Sequence, residues 1–120
     1  MHVKKIGCYT VNHDGGVIMK IINGNEFEST ISSGVVLVDF FATWCGPCKM
    51  LSPVLEQVSE ELAGKVEIVK VDVDQDGDLA AQFGIMSVPT MIVFKDGQPV
   101  GKMQGYVPAP QLKEALEKML

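Results

Sequence analysis

The spacing of apolar residues changes period several times along this chain, and each change marks an element. Val35-Val36-Leu37-Val38-Asp39-Phe40-Phe41 is apolar almost without a break and rich in β-branched residues. Such a run reads as a strand buried on both faces, as in a sheet covered by helices. Asp39 is the exception inside it. Beyond Cys48, apolar residues recur at threes and fours (Met50, Leu51, Val54, Leu55, Val58 and Leu62), with Glu56, Glu60 and Glu61 outside. This pattern predicts an amphipathic helix running to Ala63 and stopped by Gly64. Pro47 suits the first turn, whereas Pro53 is expected to kink the helix. Val66 to Val73 reads as the next buried strand, so residues 35–73 form a strand–helix–strand unit with a right-handed crossover.

The flanks complete the pattern. Met19 to Ile22 suits a first strand, and Asn25 is a plausible N-cap for a short helix with Glu26 and Glu28 in its first turn. Phe27 and Ile31, four apart, face inward from it, and Gly34 ends it. Asp72 to Gly84 holds a short helix with Leu79, Ala80 and Phe83. Thr90 to Phe94 is a strand, Lys95-Asp96-Gly97 signals a hairpin, and Val100 to Gln104 returns antiparallel. Residues 108–120 form a terminal helix with Leu112, Ala115, Leu116 and Met119 on one face. From Met19 the order is β-α-β-α-β-α-β-β-α, an α/β class with a mixed central sheet flanked by helices. There is no repeat and no linker, so residues 19–120 are expected to be one domain, large enough to bury a core without disulfide staples.

Residues 1–18 read differently. They lack the apolar stretch of a cleavable secretory signal. Gly15-Gly16 can be encoded by codons that contain a ribosome-binding core two codons before Met19. Two readings stand: Met19 is the native start and residues 1–18 are a translated leader, or they are a poorly ordered arm. Cys8 is a bystander thiol under either.

Charge narrows the function. Ten Lys, no Arg and fifteen acidic residues give a net charge of −5. An acidic domain without Arg lacks the phosphate-binding patch and bidentate base readers of nucleic-acid proteins, so nucleic acid is not an expected partner. No apolar run approaches the roughly 18–20 residues that span a bilayer, so no membrane association is expected. No nucleotide-binding glycine fingerprint occurs, and no cofactor is expected.

The three cysteines are Cys8, Cys45 and Cys48, and the two histidines are His2 and His13. After Asp14 there is no His, which excludes Cys-His and Ser-His-Asp catalysis in the folded domain. A structural zinc site wants four ligands, and only His2, Cys8 and His13 could join Cys45 and Cys48, so no metal is expected. Asp72, Asp74, Asp76 and Asp78 with Gly77 resemble part of a calcium loop but lack the closing Glu; a solvated turn is the better reading.

Trp44-Cys45-Gly46-Pro47-Cys48 falls where a buried strand gives way to a helix. Free N–H groups and the helix dipole at that N-terminus stabilise a thiolate at Cys45. Two intervening residues bring both sulfurs onto one side of the first turn, within disulfide reach. Cys45 is expected at the rim as the attacking thiol, with Cys48 deeper as the resolving thiol, the arrangement for thiol–disulfide exchange.

The segment from Val38 to Lys49 (VDFFATWCGPCK) resembles the active-site segment of the thioredoxin family in its bacterial form. The likeness continues through Pro53, Lys70-Val71-Asp72-Val73-Asp74, Val88-Pro89-Thr90, Phe94-Lys95-Asp96-Gly97 and Gly105, and covers the chain from Met19 to Leu120. It implies the thioredoxin fold and a protein-disulfide reductase that works through a mixed disulfide and a reversible Cys45–Cys48 disulfide. Asp39 then takes the proton of Cys48, a role that suits a carboxyl whose charged form is disfavoured by burial. Lys70 resembles the lysine that lies close to that aspartate and opposes the shift. The alternative for Asp39 is a satisfied core carboxylate bonded to backbone.

The resemblance also implies that the Val88–Pro89 bond is cis and packs against the cysteine pair. Val88 would offer its backbone to an extended substrate, with Trp44, Gly46, Pro47, Gly105 and Tyr106 forming an apolar rim. Gly46 and Pro47 carry no charge that would make the couple oxidising, which favours a reductase over an oxidase or isomerase; a thioredoxin-fold binding subunit is the other alternative. Two departures from the family pattern are Phe41, where many members have Trp, and Met86-Ser87 in place of the usual Arg and Gly. The expected partners are a thioredoxin reductase and disulfide-containing client proteins, for a monomer in the cytoplasm.

Overall fold

The chain folds around the buried run read as its central strand. The structure, a computed structural model, describes the backbone of residues 3–6, 9–12 and 17–18, and residues 19–120 with their side chains. Strands β1 (Val3–Ile6), β2 (Tyr9–Asn12) and β3 (Val17–Ile18) pair antiparallel in that order. His2, Cys8 and His13 lie outside the described residues. So do Gly15 and Gly16, on which the leader reading rests.

Strands β4 (Lys20–Ile21), β5 (Val35–Phe41), β6 (Val66–Asp72), β7 (Thr90–Lys95) and β8 (Gln98–Gln104) form one sheet in the order β4-β6-β5-β7-β8. β4, β6 and β5 run parallel, and β7 and β8 run antiparallel to their neighbours. Helices α1 (Gly24–Ile31), α2 (Gly46–Glu61), α3 (Gly77–Gln82) and α4 (Ala109–Glu117) cover it, in the expected order. This is the mixed α/β sheet of the thioredoxin fold. Among the described residues no helix is long and apolar enough to cross a membrane.

Two cores sit on opposite faces of β5, which explains its unbroken apolar run. Val35 and Leu37 pack with Leu51, Leu55 and Val58 of α2 and Leu112 and Leu116 of α4. Val36, Val38 and Phe40 pack with Phe27 and Ile31 of α1 and Leu79 of α3. Each buried Leu or Phe stabilises the fold by roughly 1.5–3 kcal/mol relative to exposure. Alternation along the strand puts Asp39 on the Leu37 face, beneath α2.

Two local readings turn out differently. The cap of α1 is Asn23, not Asn25: its side chain accepts from the Glu26 N–H at 3.0 Å, and Glu26 accepts from the Asn23 N–H at 3.2 Å. The Ile22 N–H still bonds the Lys70 carbonyl, so the chain leaves the sheet at Asn23, and this reciprocal box captures the turn. Strand β8 begins at Gln98, two residues before Val100, because Asp96 and Gly97 (φ 50° and 86°) close a two-residue hairpin that pairs Lys95 with Gln98.

Candidate active site

Helix α2 starts at the carboxyl end of β5, and its first turn is the Cys-Gly-Pro-Cys segment. Cys45 is the N-cap: its backbone is extended, and its sulfur accepts from the Cys48 N–H at 3.2 Å. A sulfur in this place takes one of the free N–H groups of the turn and sits at the positive end of a 16-residue helix. Cys45 and Cys48 are joined by a disulfide across Cα atoms 5.3 Å apart. Reversible formation of that bond between two neighbouring thiols is a two-electron redox couple.

The difference in exposure expected between the two cysteines is small. Cys45 is 4% exposed and Cys48 3%, both packed with Phe41 and Ala42. The reason is Val88, which packs against this cluster and whose carbonyl oxygen lies 3.6 Å from Cys45 Sγ. What distinguishes the cysteines is therefore place: Cys45 caps the helix beside Val88, and Cys48 lies within the first turn.

The Val88–Pro89 bond is cis, as expected. Pro89 is buried, and its carbonyl accepts from the Gly105 N–H at 2.9 Å, which ties the end of β8 to this loop. Around the cysteines, Trp44 and Tyr106 are exposed at 70% and 46%, and Gly46 and Pro47 are also at the surface. Trp44, Val73, Ile85, Met86, Ser87 and Val88 line a shallow cavity of about 170 Å³. The sequence reading placed neither Val73 nor Ile85 here, and it took Met86 only as a departure from the family pattern; the 72–76 and 84–88 loops bring all three to the rim.

Asp39 is fully buried, and neither carboxyl oxygen has a hydrogen-bond partner among the described residues. The satisfied-carboxylate alternative therefore fails. Burial pushes this carboxyl up to about 6, against the opposing charge of Lys70. Lys70 stands beside Asp39 in the parallel β5–β6 register. Its ammonium donates to Ser52 Oγ at 3.0 Å and lies 4.6 Å from the centre of the Phe41 ring. Ser52 Oγ in turn donates to the Cys48 carbonyl at 3.3 Å.

Two further participants, both polar, escaped the sequence reading. Ser52 lies four residues after Cys48 on the same helix face, a spacing that could have flagged it. Asp74 accepts from the Trp44 indole N–H at 2.9 Å. Other carboxylates of the 72–78 turn also hold backbone: Asp72 Oδ1 accepts from the Asp74 N–H, and Asp76 Oδ1 from the Gly24 N–H.

Residues 18–118 match the family model described as Thioredoxin. The thioredoxins of Staphylococcus aureus strains Mu50 / ATCC 700699 and MW2 are each 52% identical to the chain over 103 residues. The match covers 86% of this chain and 98% of the relative.

Proposed function

The chain belongs to the thioredoxin family and is a protein-disulfide reductase, and we propose that its turnover runs through Cys45 as nucleophile, Cys48 as resolving thiol and Asp39 as proton acceptor. The observation that carries this assignment of roles is the Cys45–Cys48 disulfide at the head of α2, a helix packed over the Asp39 carboxyl, which has no hydrogen-bond partner among the described residues.

In the reduced protein, Cys45 Sγ at the helix N-terminus is the better thiolate. It attacks one sulfur of a client disulfide. The client S–S bond breaks, its other sulfur leaves and takes up a proton, and a mixed disulfide joins Cys45 to the client. Cys48 then passes its thiol proton to Asp39 and attacks Cys45 Sγ. The bond from Cys45 to the client breaks, and the Cys45–Cys48 disulfide forms. The client sulfur leaves as a thiolate and takes up a proton from solvent, and Asp39 gives the Cys48 proton back to solvent. Two electrons have moved to the client.

The rim supports the recognition step. Val88 borders the cysteines with backbone that an extended client segment can pair with, and such pairing tolerates many sequences. Trp44, Pro47, Gly105 and Tyr106 supply apolar surface around it. Lys70 tunes Asp39 by its charge, and Gly46 and Pro47 leave the couple without a local charge that would favour the reduced form. A thioredoxin reductase returns two electrons and two protons to Cys45 and Cys48, and the cytoplasm, where thiols are kept reduced, is the fitting compartment.

The test is reduction of a disulfide-linked two-chain protein by dithiothreitol. The chain is expected to accelerate it, and Cys45→Ser or Cys48→Ser to return it to the rate of dithiothreitol alone. Undiminished acceleration by Cys45→Ser overturns the assignment.

A further inference from the structure

The Lys70 ammonium has two candidate partners, and it uses only one. Asp39 is its register neighbour across β5 and β6, yet the hydrogen bond goes to Ser52 Oγ at 3.0 Å, and among the described residues no ion pair joins Lys70 to Asp39. Ser52 is itself fixed. Its proton goes to the Cys48 carbonyl, which leaves its lone pairs to receive the lysine. The Phe41 ring underneath gives the ammonium a second, weaker reason to stay. Lys70, Ser52 and the first turn of α2 therefore form one connected unit, and the carboxyl stands outside it.

We propose that Ser52 is a positioning residue that holds the Lys70 ammonium out of hydrogen-bond contact with Asp39, so that the carboxyl meets the Cys48 proton unpaired. This rests on the reading of Asp39 as proton acceptor. An ammonium in direct contact with a carboxylate stabilises its charged form strongly, and the attraction weakens with distance. A carboxylate already paired to lysine is a weaker base, so the site works better with the lysine held aside. The other groups on this face leave the choice to Ser52. β6 brings Lys70 and Asp72, whose carboxylate accepts from the Asp74 N–H, and on α2 Cys48 lies one turn before Ser52. β7 and α4 contribute the apolar Met91, Leu112 and Leu116.

The experiment follows the Asp39 side-chain carboxyl carbon by NMR through a pH titration of the reduced full-length chain. Ser52→Ala is a better helix former and keeps the fold. Without the hydroxyl, Lys70 turns to Asp39, and the Asp39 midpoint is expected to fall by about one unit or more, at least tenfold in proton affinity. Ser52→Thr, which keeps the hydroxyl, is expected to hold the wild-type midpoint. In a Lys70→Met background, Ser52→Ala is expected to add no shift. An unchanged or raised midpoint in Ser52→Ala, or an equal fall in the Lys70→Met background, overturns the proposal. The role of Asp39 is read separately: if Asp39→Asn resolves a preformed mixed disulfide as fast as wild type above pH ~7, Asp39 is not the acceptor, whatever its midpoint does.

Discussion

Asp39 and Lys70 face each other in register on β5 and β6, yet the lysine is bonded to Ser52 and the carboxyl is bonded to nothing among the described residues. A buried carboxyl without a partner is costly to ionise. That cost keeps the carboxyl protonated to a higher pH than an exposed one, which is the property the proposed proton-acceptor role requires.

The same carboxyl links stability to pH. Its value is about 6 in the folded chain, against an ordinary 3.8. Between those values the native state holds a proton that the unfolded chain has released. Stability therefore falls as pH rises from about 4 through about 6, and stays lower at neutral pH by about 3 kcal/mol. Asp39→Asn removes this titration. The stability of Asp39→Asn minus that of wild type, from urea unfolding, is expected to grow by that amount from acid to neutral pH. A difference that stays flat with pH contradicts the shifted carboxyl.

Trp44 is mostly exposed, and its indole is held by Asp74. An exposed hydrogen bond of this kind is worth about 0.5–1 kcal/mol. Asp74→Ala is expected to lower the fluorescence anisotropy of Trp44, the only tryptophan. It is also expected to reduce kcat/KM on a protein disulfide roughly two- to fivefold. Unchanged anisotropy shows that the rim is held by something else.

Gly105 has φ 82°, and a methyl group there would meet nothing within 4 Å among the described residues. The cost of Gly105→Ala is therefore one of backbone conformation, about 1–2 kcal/mol. A lower urea midpoint with an unchanged slope is the expected result, because the native fold stays compact while its turn is strained. A variant as stable as wild type shows that the turn relaxes.

The direction of electron flow is also measurable. Trp44 adjoins Cys45, so its fluorescence can report the couple in dithiothreitol buffers, with Cys8→Ser removing the third thiol. A two-electron midpoint more reducing than the cytosolic glutathione range of about −220 to −260 mV is expected. A midpoint well above that range marks an oxidant.

Much of this molecule is legible in its sequence because the relevant signals are local. The run 35–41 declares a doubly covered strand, Asp96-Gly97 a tight hairpin, and the Cys-Gly-Pro-Cys turn a pair of thiols at a helix start. Asp39 stands out as a charge among β-branched residues. Asn25 reads as the cap because Glu26 and Glu28 follow it, yet Asn23 stands three residues before Glu26 just as Asn25 stands three before Glu28; only the sheet bond of Ile22 separates them. Ser52 with Lys70, and Trp44 with Asp74, are pairs set by how α2 lies against β6 and by where the 72–76 turn runs. The near-equal burial of the two cysteines comes from Val88, a residue far along the chain. No pattern within either segment carries that information.

The central assignment, Cys45 as attacker and Cys48 as resolver, has a direct test. Cys48→Ser in a Cys8→Ser background is mixed with a disulfide-bonded peptide, and the product is mapped by mass spectrometry. One half of the peptide is expected on Cys45 as a stable mixed disulfide, with no such adduct in Cys45→Ser carrying Cys48. An adduct that forms on Cys48 when Cys45 is replaced, and none on Cys45 when Cys48 is replaced, would contradict the assignment outright.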